Sequence, residues 1–104
     1  MLDYARETLT LVHGKARPEL EDDRTLNLAL TRLLEVIGEA ASQIPAEVRM
    51  QYPRIPWREI IGMRNRLIHG YDSIDSEIMW QILTKDIPAL IPELQKMMDS
   101  PEEQ

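Results

Sequence analysis

Residues 64–71 read RNRLIHGY, and the polar members of this run are the ones equipped for chemistry. Arg64 offers a planar fork that can take two phosphate oxygens at once. His69 has the side-chain type whose ordinary pKa, near 6.5, lies closest to neutrality, so it is the best proton carrier in the segment. Asn65 can hold a phosphate oxygen or orient the imidazole. Arg66 can reach a nucleic-acid backbone or pair with a surface acid. A guanidinium and an imidazole in one cleft suit a reaction on RNA, whose ribose 2′-hydroxyl is already a nucleophile. That reaction needs a group to move protons, worth roughly 10²–10⁴-fold, and a cation to stabilise charge growing on the phosphate.

Position decides whether the pair can cooperate. Five residues at about 100° each leave Arg64 and His69 about 140° apart on a regular helix, so they share no face if the helix continues. Gly70 is suited to end the helix in a left-handed turn, which would let the two converge. A second copy of the chain across a twofold axis could also bring them together. Plainer roles stand beside these. Arg64 can pack its stem and keep its head in water, or bridge to Glu39. His69 can cap the last helix carbonyls, and Tyr71 can lie as a lid on the next helix. His13, the other histidine, stands alone between helix and loop and is assigned no role.

Helical spacing runs through the rest of the chain. Leu2, Ala5, Leu9 and Val12 predict a first helix over 2–13, ending near Gly14. GKARPELEDD reads as a connection. Leu26, Leu30, Leu33, Leu34, Ile37, Ala41 and Ile44 predict a long helix over 22–43, with Arg32, Glu35 and Glu39 off its apolar stripe. Gly38 inside that helix costs about 1 kcal/mol relative to alanine, and a close helix–helix approach would explain it. Pro45 stops the helix, and AEVRMQ predicts a short turn. A further helix is expected over 57–68, with Trp57, Ile60, Ile61, Arg64 and Ile68 along one side and Pro56 at its start. Asp75 is placed to cap the next helix, and Pro88 and Pro92 are expected to break or kink the last one. The expectation is an all-α, up-and-down bundle of four to five helices, one domain over 1–98 with a frayed tail at 99–104.

Composition narrows the function further. The 104 residues include no cysteine, which excludes disulfides, thiolate metal sites and cysteine nucleophiles. Neither histidine has a partner at metal-ligand spacing, so neither metal nor cofactor is expected. No apolar run reaches the roughly 18–20 residues of a membrane span, and the N-terminus lacks a signal peptide's pattern. A cytoplasmic protein is expected. The net charge of −6 is uneven. Between Arg49 and Tyr71 five arginines face one acid, Glu59, a local balance of +4, so the remainder sums to −10. A field of that kind acts locally, within about 8–10 Å.

The same residues resemble a known family. RNRLIHGY matches the pattern Arg, four residues, His, one residue, Tyr of the HepT-like proteins of the HEPN superfamily. ALTRLLEVIGEAA is similar to that family's long helix, YPRIPWREIIGMRNRLIHGYDSID to its central block, and DIPALI to its closing segment. The likeness runs from about Leu26 to Leu94. It implies a helical homodimer with a cleft at its interface. It also implies a metal-independent ribonuclease, the toxin of a type VII toxin–antitoxin pair. Arg64 and His69 would be catalytic, Asn65 and Arg66 supporting or RNA-binding. Tyr71 would be the tyrosine that a minimal nucleotidyltransferase antitoxin modifies with AMP. The other function class is a non-catalytic helical module that partners a nucleotidyltransferase, which has no need of a titratable His69 beside Arg64.

Overall fold

Leu26, Leu30, Leu34, Ile37 and Ala41 recur at steps of three or four, and all five are buried along one side of the longest helix. In the computed structural model, which describes residues 1–67 and 75–99, that helix is α3 (Arg24–Ser42). It begins where Asp23 places a carboxylate oxygen 3.0 Å from the Leu26 N–H, satisfying a donor that the first turn leaves without a partner. α1 (Leu2–Val12) lies against it and buries Leu2, Ala5 and Thr8. Thr8 is tolerated there because its hydroxyl donates to the Tyr4 carbonyl at 2.7 Å. Gly14 follows with a φ of +77°, a left-handed conformation suited to glycine.

The stretch expected as a plain connection contains a helix. α2 (Arg17–Asp22) starts with Pro18 in its first turn, where a missing N–H costs nothing. The Glu19 carboxylate accepts from the Ala16 N–H at 2.7 Å, and Leu20 is fully buried. Proline here initiates structure. α4 (Ala46–Met50) is the short turn expected after Pro45.

The next region departs from expectation in a way that matters for the site. Instead of one helix over 57–68, the chain forms α5 (Trp57–Ile61) and α6 (Met63–Leu67), interrupted at Gly62. The residues it sends into the core are Ile60, Met63 and Leu67. Arg64 follows Met63 on α6.

α7 (Ser76–Gln81) begins at Asp75, whose carboxylate accepts from the Glu77 and Ile78 N–H groups at 3.0 and 3.1 Å. The expected break at Pro88 and Pro92 is absent. The chain passes from α7 through a π turn (Ile82–Asp86) into α8 (Ile87–Asp99). The Ile87 N–H reaches back five residues to the Ile82 carbonyl. Proline at 88 then falls in the first turn of α8, where it has no N–H to lose, and Pro92 faces solvent.

The described residues are thus all helical, with no strand, in eight α segments and one π turn. This exceeds the four or five helices that the periodicity suggests, because α2, α4 and the α5–α6 pair are short. Leu30, Leu34, Ile37, Met63, Leu67, Met79, Ile82, Leu83, Ile87 and Leu90 form the centre of one core. No helix among them is long and apolar enough to cross a membrane.

Gly38 sets the closest approach. A Cβ built there would lie 2.9 Å from the Ile60 carbonyl oxygen, which belongs to the backbone and cannot swing aside. Gly38→Ala is therefore expected to lower stability by about 1–3 kcal/mol through overpacking, against a helix-propensity gain of about 1 kcal/mol. Urea unfolding checks this, and a net gain would show that α3 and α5 are not so close. Asp75→Ala is expected to cost about 1 kcal/mol by the same measurement, and Asp75→Asn far less, since both Asp and Asn cap well.

Candidate functional site

α6 places the candidate residues. Its first turn is anchored by the Gly62 carbonyl, which accepts from the Asn65 N–H at 3.0 Å and the Arg66 N–H at 3.2 Å. α6 cannot persist alone at five residues, because helix nucleation is unfavourable. Burial of Met63 and Leu67 against α3 and α7 holds it. Gly38 allows the preceding α5 to lie close on α3, and α6 follows directly. The Arg64 backbone is part of α6; its side chain, His69 and Tyr71 lie outside the described residues. The Asp75 N–H donates to the Leu67 carbonyl at 2.9 Å, tying together the two ends of the 68–74 connection that carries His69 and Tyr71.

Of the two roles left open for Arg66, the structure has the ion pair. Its guanidinium lies 3.1 Å from Asp86, in the π turn, with the side chains 34% and 41% exposed. A pair this exposed contributes roughly 0–1 kcal/mol and is easily exchanged for another anion. Asn65 is exposed on the same helix, available to solvent.

Between α3 and α5 lies a cleft of about 420 Å³ lined by Arg32, Glu35, Gly38, Glu39, Ser42 and Ile61. Arg32 and Glu35 form an ion pair of 3.6 Å on its wall. The described α3 side of this cleft carries two carboxylates and one guanidinium. The spacing 32, 35, 39 marks one polar face of α3 in the sequence, yet it does not tell which helix that face meets.

The other arginines of the basic segment stand apart. Arg54 and Arg58 are exposed and, among the described residues, make no ion pair or hydrogen bond. Arg49 is half-buried and donates through Nε to the Ile44 carbonyl at 3.0 Å. Trp57 is half-buried, its indole N–H shared between the Arg49 and Tyr52 carbonyls at 3.0 and 3.1 Å. Sequence reading took Trp57 for a packing residue and gave Arg49, Arg54 and Arg58 no individual role. Among the described residues no group of three His, Asp or Glu is placed to hold a metal ion.

Comparison with known proteins fits this arrangement. A family model described as ribonuclease HepT-like matches residues 1–97. A protein of Thermococcus cleftensis named "Probable ribonuclease HepT" is 40% identical over 75 residues, which is 72% of this chain and 68% of that protein. Two Methanocaldococcus jannaschii proteins named as candidate RNases are each 34% identical. One aligns over 103 residues, 99% of this chain and 89% of its own, and the other over 98, 94% and 81%. No solved structure matches the chain. With nearly its whole length matched and relatives aligned across most of theirs, the chain belongs to the HepT-like ribonuclease family.

Proposed function

We propose that the protein is a metal-independent endoribonuclease that works as a homodimer, the toxin of a toxin–antitoxin pair, silenced by AMPylation of Tyr71. The observation that carries this reading is the family match over residues 1–97 together with the run RNRLIHGY. Arg64 and His69 are its catalytic residues. His69 takes the proton of a ribose 2′-hydroxyl as that oxygen attacks the adjacent phosphorus. A cyclic phosphate forms as the bond from phosphorus to the 5′-oxygen breaks, and that oxygen leaves with a proton taken from water. Arg64 lies on the non-bridging oxygens and stabilises their added charge. Asn65 holds a phosphate oxygen or the imidazole, and Arg66 exchanges its exposed Asp86 partner for an RNA phosphate.

Covalent geometry supports a joint site. Residue 69 is two residues past Leu67, hence within about 7 Å of its Cα, close to the helix end that carries Arg64. The described body measures 48 × 29 × 18 Å, so its thin direction spans no more than about two helix diameters of 10–12 Å. A layer this thin gains core by pairing with a second copy, and a twofold axis would set two such sites side by side.

Silencing follows from charge and bulk. The Tyr71 hydroxyl attacks the α-phosphorus of ATP, pyrophosphate leaves, and a phosphodiester remains two residues from His69. The new negative charge repels RNA phosphate, and the nucleotide fills the cleft. The enzyme responsible would be a minimal nucleotidyltransferase encoded as the antitoxin.

Purified protein is expected to cleave RNA in EDTA, and His69→Ala and Arg64→Ala each to lower the rate by 10²-fold or more with circular dichroism unchanged. Equal cleavage by all three proteins removes these residues from the mechanism. Tyr71→Phe is expected to keep ribonuclease activity while gaining no AMP mass with the partner and ATP. AMP on that variant, seen by intact mass spectrometry, moves the modification elsewhere.

A further inference from the structure

Beyond the site at α6, a second feature lies on the same stretch of chain. Ala46, Arg49, Met50 and Trp57 line an open recess of about 350 Å³ where α4 meets the start of α5. Met50 is 78% exposed at its edge, an unusual place for a large apolar side chain. The indole is not loose. Its N–H is held by the Arg49 and Tyr52 carbonyls, which fixes the plane of the ring. Arg49 is held in turn by the Ile44 carbonyl. Arg54 and Arg58, three residues before and one residue after Trp57 in the chain, are exposed and without anionic partners among the described residues, in a protein whose overall charge is −6.

An oriented indole, a flexible thioether and unpaired guanidinium groups make up the chemistry that binds single-stranded nucleic acid. Bases stack on the aromatic face while cations follow the phosphates. A duplex keeps its bases paired and cannot offer them. The recess is also close along the chain to the proposed cleavage site: Trp57 and Arg64 are seven residues apart, on the successive helices α5 and α6. Ile61, between them, faces the α3–α5 cleft.

We infer that the Trp57–Met50 recess is a base-stacking subsite for single-stranded RNA, holding a nucleotide that flanks the scissile bond, with Arg54 and Arg58 on the adjoining phosphates. The identity of the ligand rests on the ribonuclease reading; the recess and its charges do not. Charge complementarity favours RNA over an apolar partner segment, which would leave Arg54 and Arg58 unpaired at its edge.

Binding is measured on the full chain carrying His69→Ala, in EDTA, by anisotropy of a labelled single-stranded RNA octamer, with inorganic polyphosphate as a baseless polyanion. Trp57→Leu is expected to weaken octamer binding about 5- to 150-fold, matching the about 1–3 kcal/mol of one stacked base, and to leave polyphosphate binding unchanged. Trp57→Phe keeps a ring and is expected to restore most of the loss. Should the leucine variant not fold, Trp80→Phe leaves Trp57 as the sole tryptophan, since the chain has two. Its emission is expected to fall with octamer and to stay constant with polyphosphate. Octamer binding that ignores the leucine substitution, or an indole silent to RNA, overturns the subsite and leaves the recess to a protein partner. Octamer binding that depends on Trp57 in a protein that never cleaves upholds the subsite and removes the ribonuclease reading. Cleavage that depends on Arg64 and His69, with binding indifferent to Trp57, does the reverse.

Discussion

The approach of α5 to α3 at Gly38 is the constraint on which the site depends. α5 and α6 have five residues each, too few to be stable by their own hydrogen bonds. Their order comes from burial of Ile60, Met63 and Leu67 in a core already organised by α3. That burial is possible only because residue 38 has no side chain, so the Ile60 carbonyl can come to within 2.9 Å of where a Cβ would stand. Any larger residue would lift α5, and with it the Gly62 carbonyl that anchors the first turn of α6. A glycine in the last third of the longest helix thus fixes where α5, and α6 directly behind it, can lie.

Charge is arranged on this frame unevenly. The cleft wall from α3 is acidic, Arg66 is already paired with Asp86, and Arg54 and Arg58 have no acid partner among the described residues. Cations without partners on an acidic protein offer a polyanion a local place to bind. In the ribonuclease proposed above, such a wall would repel phosphates from α3 and favour α5 and α6, and salt would weaken the effect, since exposed charges are screened within about 8–10 Å.

Much of this was legible in the sequence, for physical reasons. The α3 stripe, the Asp75 cap, the turn at Gly14 and the need for close packing at Gly38 all rest on local rules, and the structure has each of them. The misreadings came where two local signals competed. The stretch GKARPELEDD was read as a connection, although Pro18 in a first turn initiates a helix. One continuous helix over 57–68 was assumed, whereas Gly62 interrupts it; Ile60 and Ile61 pack on the core as expected, and Met63 and Leu67 join them. Pro88 and Pro92 were expected to break or kink the last segment; the chain stays helical through both, with a π turn just before Pro88. The Trp57 recess could not be seen, because it joins α4 and α5 through two backbone carbonyls that no residue pattern reports. Arg64 and His69 were conspicuous by residue type. How they meet is a tertiary matter, and position in sequence bounds only the distance.

The account's central claim is that Arg64 and His69 act on one phosphodiester, Arg64 on its non-bridging oxygens and His69 on the adjacent 2′-hydroxyl. The most direct measurement is a crystal structure of the dimer with an RNA oligomer whose 2′-hydroxyls are methylated, which removes the nucleophile's proton and blocks cleavage. The account predicts one backbone phosphate with the Arg64 guanidinium on its non-bridging oxygens and the His69 imidazole within hydrogen-bonding distance of the adjacent 2′-oxygen. RNA bound with that imidazole turned away from every ribose, or with no phosphate at Arg64, would contradict it.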